Sequence, residues 1–136
     1  MSDADFAAEV EEANLRFYRA FETLDLAQMD AVWAHTERAQ CVHPGWPLIV
    51  GWAAIRDSWE TIFANTTEMR FTIGDARVAG GPDLAWVTCI ENILADVQGR
   101  VSVTSLLATN VFERAPDGWR MVHHHASHVL GSTDRV

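Results

Sequence analysis

Residues 70 to 130 hold four alternating stretches rich in β-branched and aromatic side chains, cut apart by tight-turn chemistry, and few folds accept that pattern. The stretches run over 70–79, 84–95, 100–114 and 119–130. Between them lie Gly80-Gly81-Pro82-Asp83, then Asp96 to Gly99, then Ala115-Pro116-Asp117-Gly118. Glycine opens backbone angles closed to other residues, and proline removes a donor, so each separator reads as a turn. Strands joined by connections this short pair antiparallel, which predicts a meander.

The first half has a different period. Phe6, Val10, Ala13, Phe17, Ala20, Phe21 and Leu24 recur at three- and four-residue steps and mark one face of a long helix. Ser2 to Asp5 offer caps for its start. Asp25, with Gln28 three residues on, has capping-box spacing and restarts the pattern through Leu26, Met29 and Trp33. Residues 39–43 read as a short strand ended by Pro44-Gly45. Gly51 opens a third helix carrying Trp52, Ile55, Trp59, Ile62 and Phe63 on one face, with Asn65-Thr66-Thr67 as its end. Helices followed by a meander predict one α+β domain over residues 1–136, with the helices on one face of the sheet.

Both alternation sets of the 84–95 stretch are largely apolar. Leu84, Trp86, Ile90 and Leu94 form one, and Ala85, Val87, Cys89 and Ile93 the other. A strand with one wet face shows clean polar alternation, so both faces are expected to be covered. The chain has helix enough for one face, and a second copy covering the other predicts a homodimer through the outer sheet face. Lys+Arg 10 against Asp+Glu 19 leaves a net charge of −9, which speaks against nucleic acid and against an anionic membrane surface. Cys41 and Cys89 sit in apolar runs and read as buried free thiols in a reducing compartment. The acidic N-terminus has no apolar core of a secretory leader, and no apolar run reaches spanning length; a cytoplasmic protein is expected.

Three motifs then occur in order: Cys41-Val42-His43-Pro44-Gly45 followed by Gly51-Trp52-Ala53-Ala54-Ile55 and Trp59; Thr109-Asn110-Val111-Phe112-Glu113-Arg114 running through a turn into Gly118-Trp119-Arg120-Met121-Val122; and His123-His124-His125-Ala126-Ser127. Together they resemble the SnoaL-like branch of the nuclear transport factor 2-like superfamily. They are similar also to ketosteroid isomerase-like proteins and to the association domain of calcium/calmodulin-dependent protein kinases. The resemblance implies a cone: a long helix across a strongly curved antiparallel sheet, enclosing an apolar pocket, with dimers through the outer sheet face.

Site residues follow from it. His43 resembles in position the aspartate base of the isomerases, and imidazole accepts protons near neutral pH. Asn110 resembles the place where those enzymes keep a protonated acid as oxyanion donor, and an amide donates there without any tuning. These two form the candidate catalytic pair. Phe17, Trp46, Trp59, Asn92, Phe112 and His124 are the candidate ligand-binding residues. The isomerase tyrosine falls by spacing on Phe17, with Tyr18 about 100° away around the helix. With Asn92 toward the cavity, alternation sends its neighbour Glu91 to the outer face. The kinase-like parallel turns His124 and Ala126 inward and His123 and His125 outward, so the histidine run is read as binding no metal.

There is no GxSxG elbow, Walker loop or paired-cysteine motif, and no cofactor is expected. The expected function is a small-molecule pocket protein: a cofactor-independent isomerase, cyclase or hydratase acting on a small apolar carbonyl-type substrate by acid/base chemistry. The alternatives are a non-catalytic ligand-binding dimer and a dimerisation module.

Overall fold

The computed structural model describes residues 3–129, with side chains from residue 6 onward. The capping candidate Ser2 and the expected strand end at Leu130 lie outside the described residues.

Helix α1 (Asp3–Thr23) is followed by α2 (Leu26–Asp30), strands β1 (Gln40–Val42) and β2 (Ile49–Val50), helix α3 (Trp52–Ala64), and the long strands β3 (Thr66–Gly80), β4 (Leu84–Val97), β5 (Arg100–Ala115) and β6 (Gly118–His128). Asp25 caps α2, its carboxylate accepting from the Ala27 amide at 3.0 Å. Gly51 takes the cap position of α3 with φ 91°, an angle that suits a residue without Cβ.

One curved, unclosed six-stranded sheet runs in the order β2-β1-β6-β5-β4-β3. The meander of β3 to β6 is antiparallel, as its short turns require. The pairing of β1 with β6 is parallel. These strands are remote in sequence, so no hairpin dictates their direction. The short β2, absent from the sequence reading, pairs antiparallel with β1 at the edge.

Helix α1 packs on β3, β4 and β6 and buries Val10, Ala13, Phe17 and Ala20. Its buried arc also takes in Asn14 and Tyr18, because a helix lying along a concave sheet touches wall on both sides. On β4 the inward set is Ala85, Val87, Cys89, Glu91, Ile93 and Ala95. The small members of that set let α1 approach closely. The larger Leu84, Trp86 and Leu94 point out.

Three register shifts interrupt the sheet, the first between Thr66 and Glu68 at the start of β3. The β3–β4 register shifts between Gly74 and Arg77, with Asp75 at φ 50°. The β5–β6 register shifts where Val111 pairs with His123 and Phe112 with Met121, leaving Val122 as the extra residue. A bulge of this kind bends the strand and resets its alternation. Inward residues on β6 therefore run Trp119, Met121, then His124 and Ala126.

Candidate active site

A cavity of about 200 Å³ lies between α1, α3 and the concave sheet. Phe21, Ile62, Met69, Phe71, Ile93 and Leu106 make its apolar wall, and Pro44 and Trp46 stand at its rim. Ala126 on the floor is too small to fill the space between helix and sheet. Three ionisable side chains line it: His43, Glu91 and His124.

Glu91 is 3% exposed. Burial pushes its pKa up to about 7, although a hydrogen bond from the Tyr18 hydroxyl (2.6 Å to Oε2) pulls the other way. The penalty for burying a charge outweighs the one strong donor. Tyr18 is itself buried, and burial with the neighbouring Glu91 charge keeps its hydroxyl protonated.

A directional array extends from that bond. The single Tyr18 proton goes to Glu91, so the Tyr18 oxygen accepts from Asn110 Nδ2 at 3.0 Å. Asn110 Nδ2 also donates to Asn14 Oδ1 at 2.8 Å. With its amide so oriented, Asn110 presents Oδ1 to His124 Nδ1 at 2.6 Å, and that nitrogen carries the proton. Burial, and then the like charges of His43, His123 and His125, hold His124 well below the ordinary histidine range. It is a neutral imidazole whose Nε2 is left with a lone pair.

His43 follows the same logic from the other side. It sits just beyond β1, and its Nε2 lies 2.8 Å from Ser58 Oγ on α3. The Ser58 proton goes to the Ile55 carbonyl, so Ser58 accepts and His43 Nε2 donates. Nδ1 keeps the lone pair. Cys41 Sγ lies 3.6 Å from Nε2 and 3.9 Å from Nδ1, a loose contact, and burial keeps that thiol protonated. Burial lowers the His43 pKa to about 4, so it is neutral at neutral pH. Trp46 and Trp59 pack edge-on against its ring, at 5.0 and 4.7 Å between centroids.

The SnoaL-like domain family matches residues 10–131. The chain belongs to the SnoaL-like family. Its backbone follows that of a candidate dehydratase of the NTF2-like family from Streptomyces avermitilis, with a TM-score of 0.89 and 37% identity over 96% of this chain and 100% of that one. A candidate calcium/calmodulin-dependent protein kinase type II association domain from Thiobacillus denitrificans gives a TM-score of 0.78 and 34% identity over 88% and 94% of the two chains. In sequence this chain is 30% identical over 123 residues to the F-box protein SKIP8 of Arabidopsis thaliana. That match takes in 90% of this chain and 51% of SKIP8, so the chain spans about half the length of the curated relative.

Within this SnoaL-like domain the residues singled out from sequence separate into three groups. His43, Trp46 and His124 line the cavity, Trp46 being 39% exposed at its rim. Asn110, Phe17 and Trp59 are fully buried just behind that lining: Asn110 holds His124 and Tyr18, and Phe17 packs on Tyr18, Trp59 and His124. Asn110, expected to present an amide donor to the ligand, spends its Nδ2 on Asn14 and Tyr18 instead, and the third group, Asn92 and Phe112, lies away from the cavity. Asn92 points to the outer face, exposed, where it donates to the Thr72 carbonyl and accepts from Ser105 Oγ. It shares parity with Trp86 and Leu94, the outward set of β4. Phe112 is buried beside Ala13, Val32 and Trp119, lining a separate small hollow that shares no residue with the His43 cavity.

The reverse holds for two residues expected to point elsewhere. Glu91 faces the cavity because it shares parity with the buried Cys89 and Ile93. Tyr18 is inward because the buried arc of α1 is wider than a single stripe. The signal for Glu91 was in the sequence: a lone acid in register with Ala85, Val87 and Cys89, the set small enough to meet a helix. Among the described residues no cluster of three metal-ligating side chains occurs, and no helix is long and apolar enough to cross a membrane.

Proposed function

We propose that this SnoaL-like domain is a cofactor-independent acid/base enzyme that adds or removes water beside the carbonyl of a small, largely apolar molecule. One observation carries the reading: a carboxyl poised near neutrality stands in an apolar cavity with two neutral imidazoles. A general acid or base works best when its pKa lies near the working pH. In the dehydration direction, His43 takes the proton from the carbon beside the carbonyl. Glu91, as the acid, gives its proton to the departing hydroxyl. The C–O bond breaks, a C=C bond forms and water leaves. The proton on His43 then returns to Glu91, restoring both groups. The dry wall strengthens each of these electrostatic interactions. The chain contains no lysine, so a Schiff-base route has no nucleophile within it. The similarity to a candidate dehydratase at 37% identity supports the same reaction class.

The test is loss of water from a panel of small β-hydroxy carbonyl compounds, followed by the absorbance of the conjugated product. Glu91→Gln is expected to lower kcat/KM about 100-fold or more. Unchanged turnover in that variant ends the role of Glu91.

A non-catalytic, ligand-binding dimer is the second reading. Leu84, Trp86 and Leu107 lie exposed on the outer sheet face, and a similar structure is named as an association domain. We also propose a cytoplasmic setting, supported by the two buried free thiols.

A further inference from the structure

The hydrogen-bonding capacity of the cavity is lopsided. His124 spends its Nδ1 proton on Asn110, and His43 spends its Nε2 proton on Ser58. Each ring is left offering a lone pair. Tyr18 spends its proton on Glu91, and the Ser58 proton goes to the Ile55 carbonyl. Of the ionisable groups lining the space, only Glu91 has a proton to give, and only while it is protonated; the other side-chain donor of the lining is the Trp46 indole, out at the exposed rim. No arginine lines it among the described residues, and the chain has no lysine. The remaining surface is aromatic and aliphatic.

Water can satisfy such a site, because it brings its own hydrogens. A ligand that displaces the water must bring them too, or leave buried acceptors unpaired. An anion meets two lone pairs, a carboxyl and no cation. We infer that the ligand of this cavity is an uncharged, ring-sized molecule carrying hydroxyl hydrogens, a phenol or alcohol in preference to a carboxylate or an acceptor-only ether or ketone. The inference rests on the cavity of the proposed function being the ligand site, and it deepens that reading by naming what the substrate must present: the hydroxyl that leaves also anchors it.

Three probes of one ring size separate the alternatives: phenol, anisole and benzoate, titrated by ligand-observed NMR at about pH 6 and about pH 8. Histidine ¹⁵N shifts report the tautomers and locate binding at His43 and His124. The expected result is phenol binding at least about tenfold tighter than anisole, benzoate failing to compete with phenol at either pH, His124 protonated at Nδ1 and His43 at Nε2. Glu91→Gln installs a permanent amide donor beside the ring, so the preference for phenol over anisole should shrink several-fold. Benzoate or anisole equal to phenol, no phenol binding at millimolar concentration, or the opposite tautomers overturns the inference. Phenol selectivity without turnover of any hydroxy carbonyl leaves it standing and sinks the enzyme reading. Turnover with anisole as good a competitor as phenol does the reverse.

Discussion

Glu91 and His43 are moved in opposite directions by the same cause. Burial raises the acid to about 7 and lowers the imidazole to about 4, since each is driven toward its neutral form. If Glu91 must be protonated and His43 must not, kcat/KM is flat between about 4 and about 7 and falls on either side; a pH–rate profile checks it. Tyr18→Phe removes the donor that favours the Glu91 carboxylate, so the upper limb should move to higher pH; an unmoved limb assigns it to another group. Stability has its own sign. A carboxyl whose folded pKa exceeds its unfolded 4.5 holds its proton longer in the folded state, so its contribution falls as pH rises through that window. Urea unfolding of Glu91→Gln should therefore gain on the parent by about 3 kcal/mol between about pH 4 and about pH 8.

The strands depend on their irregular points. Gly80 ends β3 at φ 115°, and a Cβ there would stand 2.5 Å from the Leu84 carbonyl oxygen and 2.7 Å from Ala85 Cα. Backbone cannot yield as a flexible side chain can. Gly80→Ala should cost at least about 1–3 kcal/mol, read as a lower urea midpoint with an unchanged slope. Strand existence was legible from alternation and turn residues, with β4 and β5 starting where expected, whereas β3 begins at Thr66, before the expected 70 and directly after α3. The direction in which a strand's two residue sets point was less so. Simple alternation from Trp119 and Met121 would carry His123 and His125 inside; the extra Val122 turns His124 and Ala126 in instead. On β4 no bulge intervenes; Asn92 lies outside because it belongs to the set facing away from α1, and alternation does not distinguish two sets that are both apolar enough to be buried.

At the scale of the whole molecule, the outer sheet face carries an exposed apolar patch. Trp86 is 41% exposed, and Leu84, Leu94 and Leu107 lie on the same side. Patches of this kind mark association surfaces. With a net charge of −9 on each copy, a new acid on that face adds repulsion to lost packing. Trp86→Glu is expected to convert a dimer to monomer, measured by light scattering on a sizing column, without losing the cavity. A parent protein that is already monomeric refutes the dimer.

Periodicity, turn chemistry and the order of motifs were enough to determine the α+β class and the helices-then-meander layout, because each is written in local spacing; the expectation of His43 at a pocket came only with the family resemblance. Tertiary structure alone decided which buried polar groups meet. Tyr18 reaches Glu91 across 73 positions and Asn14 reaches Asn110 across 96, and no local pattern encodes a contact between a helix and strands so remote in the chain. The same closure sets the protonation of the site: a carboxyl and an imidazole have ordinary pKa values until the curved sheet and the helix above it take away their water.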